Sequence, residues 1–106
     1  MGKTQNLMDI RYVEWLNRDC VAFALLEWFY RNGNIAFEHG FKDYIVNKKK
    51  KWRITMALNS GVQLIRTDEE GNKETKFAPY SSLPKRTLLR IIRICNKYYH
   101  YCLTEA

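Results

Sequence analysis

Hydrophobic and polar positions change their period along this chain, and the changes mark its elements. From Asp19 to Arg31 the chain reads "DCVAFALLEWFYR", apolar at almost every position, with Asn17 or Asp19 available as N-cap and Gly33 as a stop. This predicts a helix over Asp19–Arg31, apolar nearly all round, as a helix at the centre of a core is. Glu27 and Arg31, four apart, can pair on its one wet edge. Upstream, "LMDIRYVEWL" predicts another helix, although Ile10–Val13 also fits a short strand. Downstream, "NIAFEHGFKDYIVN" reads two ways. Phe37, Phe41, Tyr44 and Ile45 make a helical face behind Asn34 as cap, whereas Ile35, Phe37, His39 and Phe41 alternate as in a strand. Gly40 would cost a helix interior about 1 kcal/mol. The helix is the preferred reading.

The period then becomes two. "KWRITMAL" puts Trp52, Ile54, Met56 and Leu58 on one face and Arg53, Thr55 and Ala57 on the other. Asn59-Ser60-Gly61 turns the chain, "VQLIRT" returns it, "DEEGN" turns it again, and "KETKFA" makes a third strand. In "PYSSLP", Ser81 or Ser82 is the cap candidate for a last helix with Pro84 in its first turn. The order is helix, helix, helix, three strands, helix. It predicts a single α+β domain over residues 1–106, a three-stranded antiparallel sheet packed against about three to four helices.

That order is also the order of a winged helix-turn-helix. The "NGN" turn would lead into a recognition helix, and the hairpin near Asn59–Gly61 would be the wing. Such a helix would expose Glu38, His39, Lys42 and Asp43, two of them acids facing phosphates. It would read DNA poorly.

Composition narrows the class. A chain of 106 residues with 46% hydrophobic and 14% aromatic residues can build a real core. No apolar run approaches the roughly 18 residues of a membrane span. The start "MGKTQNLMDI" lacks the apolar block of a secretory signal, and Asn6 stands where myristoylation requires Ser or Thr. Cys20, Cys95 and Cys102 are odd in number and form no C-x-x-C pair, which reads as buried, reduced thiols. The expected location is intracellular, cytoplasmic or (in a eukaryote) nuclear.

Charge changes the picture further. Residues 1–46 carry five Lys or Arg against six Asp or Glu, whereas residues 47–106 carry thirteen against five. A positive surface built by the second half implies an anionic partner. Its densest part is "NKKKKWR", with Lys48, Lys49, Lys50, Lys51 and Arg53 around Trp52. A solvated helix end or a nuclear-localisation signal would use the same letters. Its most ordered part is the last helix. There Arg86, Arg90, Arg93 and Lys97 recur at i, i+4, i+7 and i+11 as one stripe with no acid at i±4. Arginine suits bidentate phosphate contacts. Pairing with another element, such as the Asp68–Glu70 turn, is the competing explanation. Tyr98 and Tyr101 follow the stripe as candidates for base stacking, while Tyr99 falls on the apolar face.

Catalytic signals are thin. Glu74-Thr75-Lys76 with Asp68 upstream has the letters of a metal-dependent nuclease, but Asp68 falls in a turn. His39 and His100 lack partners at zinc spacing, and phosphate loops and nucleophile elbows are absent. The chain therefore reads as non-enzymatic, without metal or cofactor. It is expected to bind DNA, RNA or a nucleoprotein through Lys48–Lys51, Arg53, Arg86, Arg90, Arg93 and Lys97. The alternative is an interaction module, an inhibitor or adaptor of the kind mobile elements carry, docking on an acidic protein. Exposed Trp15, Trp52 or Tyr98 beside the arginines would favour that alternative. Convergence of the cations on one concavity would instead suit a small anionic nucleotide.

Overall fold

The structure, a computed structural model, describes residues 7–105, with side chains as far as Tyr99. Among the described residues it is an α+β fold with four strands, not three, and three α-helices. The first helix, α1, is only the turn Ile10–Val13, capped by Asp9, whose carboxylate accepts from Arg11 N at 3.0 Å.

The second helix, α2, spans Arg18–Asn32. Asn17 is its N-cap, with Oδ1 accepting from Cys20 N at 2.9 Å. Gly33 ends it at φ +76°, where glycine is favoured, and its N–H donates to Phe29 O at 2.7 Å. The buried residues Val21, Ala22, Leu25, Trp28 and Phe29 form a single stripe. The expectation of a helix enclosed on all sides is corrected here, since Phe23 is 62% and Tyr30 86% exposed. One side of α2 meets residues 80–82 and the last helix, and Phe23 and Tyr30 lie on the exposed side. Cys20 is likewise exposed, while Cys95 is buried.

No helix forms over residues 33–44, so the preferred helical reading is wrong and the element a winged helix would insert into DNA is missing. Ile35 makes an isolated bridge to Ala57, and Phe41 is fully buried from a turn. A Cβ on Gly40 would lie 2.3 Å from Ile94 Cγ2. Glycine is what lets this loop press against the last helix. The loop leads into β1, Ile45–Asn47, a strand of three residues.

The sheet runs β1, β2 (Trp52–Ala57), β3 (Gly61–Thr67), β4 (Lys73–Pro79) in antiparallel order. Ile54 pairs with Leu64 but Met56 pairs with Gln63, so Thr55 is an extra, bulged residue. Its hydroxyl donates to Gln63 O at 3.2 Å. The bulge resets the alternation: Ala57, not Met56, follows Trp52 and Ile54 into the core. Val62, Leu64 and Ala78 complete that inner face.

A 3-10 turn, Tyr80–Ser82, leads into α3, Lys85–Glu105. Neither expected serine caps α3; Ser82 Oγ donates back to Pro79 O, and Pro84 O accepts from Thr87 N and Leu88 N. Leu88, Ile91, Ile92 and Cys95 of α3 are buried in the core. Tyr80 stacks on Phe29 at 5.8 Å and donates its hydroxyl to Leu58 O at 2.5 Å. Among the described residues no helix is long and apolar enough to cross a membrane.

Candidate nucleic-acid interface

Lys48–Lys51 form the turn of the β1–β2 hairpin, not a helix end. Asn47 organises it: its side-chain oxygen accepts from Lys49 N and Lys50 N at 3.1 Å each, and its carbonyl accepts from Lys51 N at 2.7 Å. Lys51 completes the turn at φ +57°, a left-handed conformation unusual for lysine. The backbone is tied down while four ammonium groups stand exposed in solvent.

The start of α3 lies beside this turn. Tyr44, Ile45, Val46, Asn47, Lys48, Lys49 and Arg86 line one groove of about 560 Å³. Tyr44 joins its two walls, because its hydroxyl donates to the buried Thr87 Oγ1 at 3.4 Å. The Arg90 guanidinium stands over the same ring, 5.7 Å from its centroid. Two basic segments far apart in sequence thus share a surface.

The helical stripe does not act as one unit. Arg93 Nη2 lies 2.9 Å from Glu14 Oε1, beyond the end of α1, and Lys85 Nζ donates to Glu14 O at 2.6 Å. The stripe's ion pair is therefore with Glu14 and not with the Asp68–Glu70 turn. Asp68 is occupied within its own turn, accepting from Glu70 N and Asn72 N. The Asn72 amide above all holds its carboxyl below the usual range. Among the described residues no carboxylate lies within 4.0 Å of Arg86, Arg90, Lys97 or Lys48–Lys51.

The other expected contributors lie elsewhere. Arg53 sits on the outer face of the sheet opposite Ile45, with Nη1 donating to Lys42 O at 2.6 Å. Tyr98 is half-buried, not exposed; it stacks on Phe37 at 4.3 Å with the rings 3° from parallel. The Tyr101 side chain lies outside the described residues. Trp52 is buried, covered by Lys76 at 4.5 Å and Arg66 at 5.0 Å, and Arg66 pairs with Glu74 at 2.5 Å. Glu74, Lys76 and Asp68, the nuclease-like letters, thus serve three separate structural contacts.

Tyr44, Asn47 and Glu14 were missed in the sequence. An asparagine directly before a lysine run is an available turn signal; nothing local marks Glu14 or Tyr44. A second concavity, about 470 Å³, is lined by Leu26, Glu27, Tyr30, Arg31, Asn59 and Ser60. Trp15, 89% exposed, follows Glu14 directly in sequence. Comparison with protein-family models, with curated proteins and with solved structures finds no match to this chain, which leaves the chemistry of the groove to carry the functional argument.

Proposed function

We propose that this protein binds nucleic acid, without catalysis, through the phosphate backbone at the groove between the β1–β2 turn and the start of α3. One observation carries the reading: Lys48, Lys49 and Arg86 line a single groove, and none has a carboxylate partner among the described residues. A phosphate backbone carries a condensed cation atmosphere, which unpaired protein cations this close together displace. Lysines on a fixed turn track phosphates as mobile point charges, and Arg86 and Arg90 add planar donors. Base readout is not part of the proposal, since Asn47 is engaged by its own turn and no helix projects from residues 33–44.

The test is fluorescence anisotropy with labelled single- and double-stranded DNA and RNA across a salt series. Changing Lys48, Lys49 and Arg86 together to Ala should lower the duplex salt slope by about 3, roughly 0.9 for each phosphate no longer neutralised. No binding of any of the four at about 50 mM salt would reject the proposal. A second reading, docking on an acidic protein, is favoured by Trp15, which stands exposed next in sequence to Glu14, the partner of Arg93. It predicts a complex sensitive to Trp15→Ala and indifferent to the groove variant.

A further inference from the structure

The two faces of the sheet differ in charge as well as in burial. The inner face carries the core residues and, toward its open end, Arg66 paired with Glu74 above Trp52. The outer face follows from the register. One row across it is Ile45, Arg53, Ile65 and Thr75; the next holds Met56, Gln63 and Phe77; toward the lysine turn come Thr67 and Lys73. These rows contain two cations and no acid. Glu74, the one acidic residue in the four strands, belongs to the other face.

The outer face also presents apolar surface that the core does not use. Phe77 is 49% and Ile45 46% exposed, and Ile65 is half-buried between them. Phe77 is held in place by its neighbour across β3. A Cβ on Gly61 would lie 2.6 Å from Phe77 Cζ, so the ring rests where only a glycine leaves room. An anchored ring of this kind meets a base at little entropic cost. Ile45 belongs both to this face and to the groove lining, so one surface runs continuously into the other. Three strand spacings, about 14 Å in all, separate β1 from β4.

We infer that the outer face is a stacking platform for single-stranded nucleic acid, with Phe77 taking a base and Arg53 and Lys73 the flanking phosphates. This rests on the proposed function and narrows its ligand to a single strand. A duplex keeps its bases stacked inside and can offer only phosphates to the groove, whereas an unpaired base has a free face for the ring. The absence of acids across the face suits a polyanion. An acidic protein surface would use the two cations but would leave the apolar row between them without a matching group.

The test compares Phe77→Leu, which keeps apolar contact over Gly61, with Phe77→Trp, on a labelled 12-nucleotide single strand and on its duplex. Urea midpoints for both variants establish that the fold is intact. Phe77→Leu should weaken single-strand binding roughly tenfold, about what one base–ring stack contributes, and leave duplex binding and the salt slope unchanged. Phe77→Trp should bind at least as tightly as the parent. If Phe77→Leu binds the single strand within twofold of the parent, the platform is overturned; the groove reading then survives only if its triple variant still lowers the salt slope. If instead Phe77→Leu weakens the single strand and the triple groove variant changes nothing, the platform stands and the groove reading fails. A Phe77→Leu change that abolishes self-association without touching nucleic-acid binding assigns the face to a second copy of the chain and overturns the inference.

Discussion

Arg93 provides the sharpest test of how the basic stripe is divided. In sequence it is equivalent to Arg86 and Arg90; in space its guanidinium lies 2.9 Å from Glu14. The two side chains are 57% and 44% exposed, so the pair itself contributes only about 0.2–1 kcal/mol to stability. Its effect on binding is larger than its energy suggests. While Arg93 stays with Glu14 it neutralises no phosphate, and it adds nothing to ion release. Changing Arg86 and Arg90 to Ala should therefore lower the duplex salt slope by about 2, at roughly 0.9 per phosphate, whereas Arg93→Ala leaves it unchanged. Glu14→Gln frees Arg93 and should raise the slope by about 0.9. The assay is anisotropy between about 50 and 200 mM salt, with thermal melts to show that each variant folds. A slope that falls as far with Arg93→Ala as with Arg86→Ala, or that ignores Glu14→Gln, refutes the reasoning.

Gly61→Ala would press a Cβ to within 2.3 Å of Ala78 O and 2.8 Å of Pro79 Cα. It should lower stability by about 1–3 kcal/mol, and removing the Phe77 ring as well should not restore it, because two of the clashes are with backbone; an unchanged urea midpoint would contradict the close approach of β3 and β4. Trp52→Ala should cost about 3–5 kcal/mol by emptying a core site, whereas Lys76→Ala should cost only about 0.5–1 kcal/mol, the worth of an exposed cation–π contact, and equal losses would show that the lysine holds the ring in place. Burial pushes the Cys95 thiol from 9.0 up to about 12, so an unfolded chain loses this proton first. The stability it carries is complete below about pH 9 and drains away toward pH 12, with Tyr80, also raised by burial, adding the same sign at the alkaline end. Cys95→Ala should flatten the decline of the urea midpoint over that range, and an identical decline in both proteins would refute the assignment.

The elements legible in the sequence were those specified by their own neighbours. Asn17 and Gly33 cap α2 within one residue of the expected ends because a cap is a local hydrogen bond. The strands β2 to β4 showed because short alternating runs in the sequence are separated by Gly-containing turns. What stayed hidden depends on distant partners. The stretch 34–47 abandons its helical face because Gly40 packs on Ile94, Ile35 bridges to Ala57, and Tyr44 O accepts from Ile54 N. Three residues of β1 are too few to display a period. The bulge at Thr55 exists only against Gln63, so the displacement of Met56 by Ala57 in the core could not be read from β2 alone.

For the site, composition located the positive half of the chain, but pairing decided its use. A row at i, i+4, i+7 and i+11 is one feature on a helix and two in the folded protein: Arg86 and Arg90 open on the groove and Tyr44, whereas Arg93 is neutralised by a carboxylate from the other end of the chain. The lysine run divides as well, since Lys48 and Lys49 line the groove while Arg53 turns to the outer face. This division has a measurable size. If all nine expected cations met a duplex together, the salt slope would approach about 8; the four that face the groove and Tyr44 limit it to between about 3 and 4, at roughly 0.9 per phosphate. A duplex slope near the higher figure would mean that the charges act as one undivided surface and that the Glu14 pair gives way on binding. A slope near the lower one would mean that the fold, by placing Glu14 against Arg93 and Tyr44 between two basic walls, has selected a small site from a broadly basic chain.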